Sequence, residues 1–307
     1  MGRGLAQGIR RPRRPGAVAK PYHGPLPSAA LLGQSLLAGI FAGALYGLLG
    51  LGLTLSWGML RQINLAHFAL VFLGGYLTYQ LSAAGFDPLL TLALIAPAFF
   101  ALGVALHALL ARFKVSPLNT LLVTYGITVM IESLLQWIWS ADYRRMDWHY
   151  GGVKWKLGEL FVSLPELLTL AVACATALAM WALLRYTDLG RAMRATVEDA
   201  PMAAAFGVNH KLLSLLLSGL CAAFAAVAGT CLALSYTLAP SQMYAWIGVV
   251  FAVVMIGGLG NPLGPLVAGL AIGISEALTM ALTAPAWAPL VSFSLLIGAL
   301  LLRPHRF

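Results

Sequence analysis

Residues 188–208, DLGRAMRATVEDAPMAAAFGV, form a charged, Ala-rich stretch between two long apolar runs, Leu164–Tyr186 and Leu212–Leu238. Apolar runs of about 20 residues or more are membrane spans. A bilayer protein has little general reason to fold a mixed-charge insert between two spans. Docking of a cytoplasmic partner is one good reason. The insert has readable mechanics. Asp188 and Gly190 break the preceding span, and Asp199 caps a short helix with Pro201 in its first turn. Gly207 is a natural stop for that helix. Met202 and Phe206 then lie i,i+4 and make a small apolar knob flanked by Arg191 and Arg194. Such a helix suits insertion into a groove on a partner. The plain alternative is an interfacial helix lying on the lipid surface.

Outward from the insert, the chain is almost entirely apolar. Of its 307 residues, 60% are hydrophobic and only 9% are charged, against roughly 25% charged in soluble domains. Nine apolar segments stand out: Ala29–Leu60, Ile63–Ala84, Pro88–Phe113, Pro117–Ser140, Leu164–Tyr186, Leu212–Leu238, Tyr244–Leu259, Leu263–Thr283 and Ala286–Leu302. The expected fold is an all-α polytopic membrane bundle of about eight full spans plus one broken or re-entrant early segment. The expected organisation is a basic cytoplasmic tail over 1–28, a transmembrane domain over 29–303 with a cytoplasmic coupling segment at 187–211, and a cytoplasmic end at 304–307. Gly39, Gly43 and Gly47, and later Gly269 and Gly273, recur at four-residue spacing. Small faces of this kind let helices approach closely in lipid.

Charge sets the orientation. Arg3, Arg10, Arg11, Arg13, Arg14 and Lys20 precede the first span and read as inside, as do the 188–211 insert and the C-terminal Arg303 and Arg306. Five full crossings between an inside tail and the insert break that parity. Residues 50–68, GLGLTLSWGMLRQINLAHF, carry Gly50, Gly52 and Gly58 and then Arg61, Gln62, Asn64 and His67. They are the expected break, the kind of discontinuous helix where transporters place substrate. An outside N-terminus would also satisfy the parity, at the cost of translocating the basic tail. The aromatic stretch Ser140–Leu164, with Trp148, Tyr150 and Trp155, reads as an outside interfacial belt or a landing surface for an external partner.

Two carboxylates fall inside apolar segments, Glu132 and Glu276. Intramembrane charges face a polar interior, so each is a candidate for a permeation path, a proton relay or an interhelix hydrogen bond. Glu276 is the stronger transport candidate. Gln62, Asn64 and His67 are candidate path-lining residues, with His67 and Asn64 on one helical face. Cys174, Cys221 and Cys231 lack metal-ligand spacing and read as small core residues. No catalytic or metal site is expected. The Gly-rich GGLGNPLGP at 257–265 lacks the Lys-Ser/Thr of a phosphate loop, so any ATP is bound by another chain.

Three blocks carry a family resemblance: YGLLGLGLTLSWGMLRQINLAHFALVFLGGYLTY at 46–79, GRAMRATVEDAPMAAAFGVN at 190–209, and AVVMIGGLGNPLGPLVAGLAIGISEAL at 252–278. With the terminal LLLRPHRF, the chain resembles permeases of bacterial ABC importers for branched-chain amino acids, and the first of the two permeases in such systems. The family's Gly after the His of the first block is replaced here by Phe68. The first 27 residues match nothing in it. The resemblance implies a multi-pass inner-membrane subunit that binds no cofactor. Its partners would be a second related permease, two cytoplasmic ATPases that use ATP, and a periplasmic solute-binding protein. One ATPase would dock on the 190–208 segment through Gly190, Arg191, Arg194, Glu198, Asp199, Met202, Ala203, Phe206 and Gly207. An amino acid is the expected cargo; urea and short amides are carried by relatives. The rival class is an ion- or proton-coupled secondary transporter using Glu132 and Glu276.

Overall fold

A computed structural model describes residues 28–113, 116–148, 150–283 and 285–302. Among them the chain forms α1 (Ala29–Leu60), α2 (Ala66–Ala83), α3 (Pro88–Arg112), α4 (Pro117–Trp139), a short hairpin of β1 (Lys154–Leu157) and β2 (Leu160–Ser163), and α5 (Leu164–Tyr186). The insert follows as α6 (Asp188–Glu198) and α7 (Ala200–Ala205), then α8 (His210–Ser235), α9 (Met243–Gly257), α10 (Gly264–Leu282) and α11 (Ala288–Leu302). Each of the nine expected apolar segments is a helix. Among the described residues, seven helices (α1, α3, α4, α5, α8, α9 and α10) are long and apolar enough to cross a membrane, and α11 is a shorter apolar one. The all-α polytopic reading holds. The one departure is the antiparallel hairpin inside the expected aromatic loop, with Trp155 opposite Val162.

The bundle is held by small residues where helices cross. α1 and α10 run antiparallel along the glycine stripe: a Cβ on Gly43 would lie 2.5 Å from the Gly269 carbonyl, and one on Gly39 would lie 2.7 Å from that of Gly273. Backbone-to-backbone contact of this kind replaces the hydrophobic effect, which lipid does not supply. α2 lies in the centre. Its residues from Ala66 to Phe72, and Tyr76, are buried, and Gly74 and Gly75 meet Ala226 and Gly229 of α8. Cys221 and Cys231 are buried free thiols within this packing.

The two ends of the bundle differ. At one end the Gln34 amide exchanges hydrogen bonds with the Phe161 backbone at 3.0 and 2.9 Å, and Arg144 bridges Leu238. At the other end Leu55 of α1 packs with Met193 of α6 and with Leu213 and Leu217 of α8. α1 therefore starts at the hairpin end and finishes at the insert end. It is 32 residues long, about 48 Å at 1.5 Å per residue, longer than the ~30 Å hydrocarbon core.

That placement puts the start of α1 and the insert at opposite ends of the bundle. Ser28 caps α1 at the hairpin end, its hydroxyl accepting from the Leu31 N–H. The insert and the end of α11 lie at the other end, and α2 is the early apolar helix that is not among the candidate spans. Residues 1–27 and 303–307, on which the expected tail and C-terminal end fall, lie outside the described residues.

The expected break is also narrower than 50–68. Only Arg61–Leu65 leave the helix, with Arg61 in the left-handed region at φ 53°. Gly50, Gly52 and Gly58 stay inside α1 because they are contact points, not hinges. A Cβ on Gly52 would meet His67 Cε1 at 2.5 Å, and one on Gly58 would strike the Gly260 backbone.

Candidate functional site

The insert folds much as its residues dictate. Thr187, which the sequence did not single out, separates α5 from α6: its hydroxyl accepts from the Gly190 N–H at 3.1 Å. Gly190 lets α6 turn back onto α5, since a side chain there would collide with Leu183 and Leu184. Asp199 accepts from the Met202 N–H at 3.0 Å and caps α7, with Pro201 in the first turn. α7 stops where Gly207 takes φ 87°. Met193 and Ala203 face inward and are buried. Phe206 is 84% exposed and Met202 56% exposed. Arg191 pairs with Asp188 across one helical turn, and Arg194 and Glu198 lie on the same helix, α6. The product is a cradle on α5 that presents an apolar knob at one end of the bundle.

The five candidate path residues fall in three places. Gln62, Asn64 and His67 come together. With Ser56, His107, Thr120 and Ser218 they line a polar crevice at the foot of α1. Asn64 Oδ1 accepts from the Ala66 N–H at 3.1 Å and starts α2, while the Leu65 N–H is satisfied by Thr124 at 3.2 Å. These bonds satisfy part of the backbone freed by the break, as membrane depth requires. His67 is enclosed, and its Nε2 donates to the Leu49 carbonyl at 3.0 Å. Phe68, at the departure from the family pattern, is buried and stacks on Phe251 of α9. Its bulk fills the core between helices.

Glu132 sits on α4, apart from the crevice. The Tyr244 hydroxyl donates to it at 2.6 Å and the Gln136 amide at 3.1 Å. α4 is the least covered of the candidate spans, with 17% of its apolar window buried. Gln136 and Ser133 are exposed on it. Glu276 is in a third place and is buried. Tyr46 of α1 donates to its Oε2 at 2.9 Å, and the Ser292 hydroxyl of α11 donates to its Oε1. It closes one side of a cavity of about 210 Å³ shared with Glu166, Thr169 and Tyr236. Tyr46, Tyr244 and Ser292 were not legible as partners, because 230, 112 and 16 residues separate them from their carboxylates.

Comparison with known proteins places this architecture. The family described as branched-chain amino acid transport system, permease component, matches residues 35–300. The high-affinity branched-chain amino acid transport system permease protein LivH of Escherichia coli K12 is 29% identical over 290 residues, covering 88% of this chain and 93% of that one. The corresponding BraD protein of Pseudomonas aeruginosa is 26% identical over 289 residues, covering 88% and 94%. Among solved structures, PsaBC from Streptococcus pneumoniae in complex with Fab resembles 88% of this chain, with TM-score 0.45 and 13% identity.

Proposed function

We propose how this subunit works from one premise: the chain belongs to the family of permease components of branched-chain amino acid transport systems. It is a multi-pass membrane permease of the ABC importer class. Its substrate, on our reading, is a branched-chain or closely related amino acid, and it sits in a bacterial inner membrane. The full machine would comprise this chain, a second related permease, two cytoplasmic ATPases and a periplasmic binding protein. This chain binds no cofactor; ATP is bound and hydrolysed by the ATPases.

The observation that carries the reading is the α6–α7 insert. It is the one amphipathic, charged helical unit among the described spans, and its apolar residue Phe206 points away from the bundle, 84% exposed. An exposed aromatic on a capped helix is the form of a docking knob. The face that bears it is assigned to the cytoplasm. An ATPase groove closing on Phe206 would move α6, and Gly190 would pass the motion to α5. The bundle is then the two-state element, biased because each nucleotide state of the ATPase binds one bundle state better.

For the path, α4 is the helix we assign to the seam with the second permease. Exposed Gln136 and Ser133, beside Glu132, are unfavourable against lipid but not against a water-filled path or a protein partner. Gln62, Asn64 and His67 line the inward exit of that route. The test is ATP-dependent uptake of labelled leucine into vesicles holding the assembled transporter. Phe206→Asp should abolish uptake while leaving the permease inserted. Unchanged uptake in that variant would sink the docking assignment, and uptake without ATP would return the argument to a secondary carrier.

A further inference from the structure

The crevice at the insert end has a part that the transport reading touches only through Gln62. Between the end of α3 and the start of α8 it widens to about 480 Å³ and is lined by His107, Arg112, His210 and Lys211. No carboxylate lines it. Among the described residues the one ion pair is Arg191 with Asp188, so neither Arg112 nor Lys211 is neutralised by a carboxylate of this chain. Leu60, Ala108, Ala111 and Leu215 add an apolar wall, with Gln62 and Ser214 as its neutral polar members. His107 is oriented by a 2.9 Å hydrogen bond between its Nδ1 and the Ser218 hydroxyl.

We propose that this crevice seats an anionic phospholipid of the adjoining leaflet. Its phosphate would lie between Arg112 and Lys211, and one acyl chain would lie along Ala108 and Leu215. Basic pockets between membrane helices at this level are suited to lipid phosphates. Charge complementarity separates the candidates. A zwitterionic amino acid would bring an ammonium that finds no carboxylate here. Free phosphate would gain nothing from the apolar wall. A lipid with net negative charge uses both parts. The inference rests on the proposed orientation only for which leaflet supplies the lipid.

The test is native mass spectrometry of the detergent-purified full-length chain, with phosphatidylglycerol, phosphatidylcholine or inorganic phosphate added in separate arms. Wild type should retain phosphatidylglycerol at least about fivefold over phosphatidylcholine. The double variant Arg112→Gln/Lys211→Gln should lose that preference. Arg185→Gln is a matched control at the same end of the bundle, where Arg185 lies over the Trp181 ring at 5.2 Å, and it should keep it. Equal retention of the two lipids by wild type, or an unchanged preference in the double variant, would overturn the proposal. So would inorganic phosphate binding without lipid preference, which would indicate a free-anion site. The wild-type comparison stands even if the double variant fails to fold. Because the readout is lipid retention and not uptake, its outcome is separable from that of the importer reading.

Discussion

Glu132 and Glu276 are carboxylates at membrane depth in opposite surroundings, and each surrounding predicts a different phenotype. Glu276 is buried and tied to α1 through Tyr46 and to α11 through Ser292. Deleting it leaves the buried Ser292 hydroxyl and the half-buried Tyr46 hydroxyl without their acceptor, at about 1–3 kcal/mol for a lost partner. Glu276→Ala should therefore lower the thermal stability of the detergent-solubilised chain, and Glu276→Gln should restore most of it. An unshifted melting curve for Glu276→Ala would contradict the clamp. Glu132 lies on the least covered span, with Gln136 and Tyr244 beside it. Glu132→Gln should leave the melting curve in place and slow uptake by about tenfold, the size of one lost hydrogen bond to a charged group. Wild-type uptake in that variant would remove Glu132 from the path. The sequence ranked Glu276 ahead of Glu132 for transport from depth alone. We propose the reverse order, because Tyr46 and Ser292, from distant positions that no spacing rule connects to Glu276, hold its carboxylate.

Elements were more legible than partners. The caps of α7 were readable because Asp199, Pro201 and Gly207 each act within one turn of their own position. Asp199→Ala should cost α7 about 1 kcal/mol and weaken ATPase stimulation in the assembled transporter, with Asp199→Asn close to wild type. Equal loss in both would mean that the carboxylate contacts the partner directly and does more than cap. The glycines of α1 divided into two cases. The four-residue stripe Gly39, Gly43, Gly47 was read as a close-packing face, and it is one against α10. Gly50, Gly52 and Gly58, followed by the polar Arg61, Gln62, Asn64 and His67, point in sequence to a break. In this bundle the glycines admit His67 and Gly260, and tertiary contact overrides glycine's weak helix propensity. Gly43→Val should overpack the α1–α10 crossing by about 1–3 kcal/mol and show aggregation on size-exclusion chromatography. Gly126→Ala, where a Cβ meets nothing within 4 Å, should elute as wild type. Equal behaviour of the two would deny the stripe its role.

At the scale of the molecule, the nine apolar segments and their order were legible because hydropathy over about 20 residues is a strong signal. Which end of the bundle α1 starts at was not legible. The basic residues before Ala29 argue for an inside start, and α1 begins beside Phe161 at the end opposite the insert. The long-range contact of Gln34 with β2 leaves no trace in local charge. In a chain with its own cysteines replaced, Ser28→Cys and Glu159→Cys should react with a membrane-impermeant thiol reagent from one side, and Asp188→Cys only from the other. Labelling of Ser28→Cys and Asp188→Cys from the same side would overturn the topology. The central claim is that this permease is driven from outside the bilayer through α6 and α7. The most direct measurement is co-purification from mild detergent of the tagged full-length chain, with the accompanying chains identified. The account predicts recovery of an ATPase and a second permease, with the ATPase lost in Arg191→Glu/Phe206→Asp while the second permease is retained. Recovery of this chain alone, or an ATPase still bound to the double variant, would contradict it.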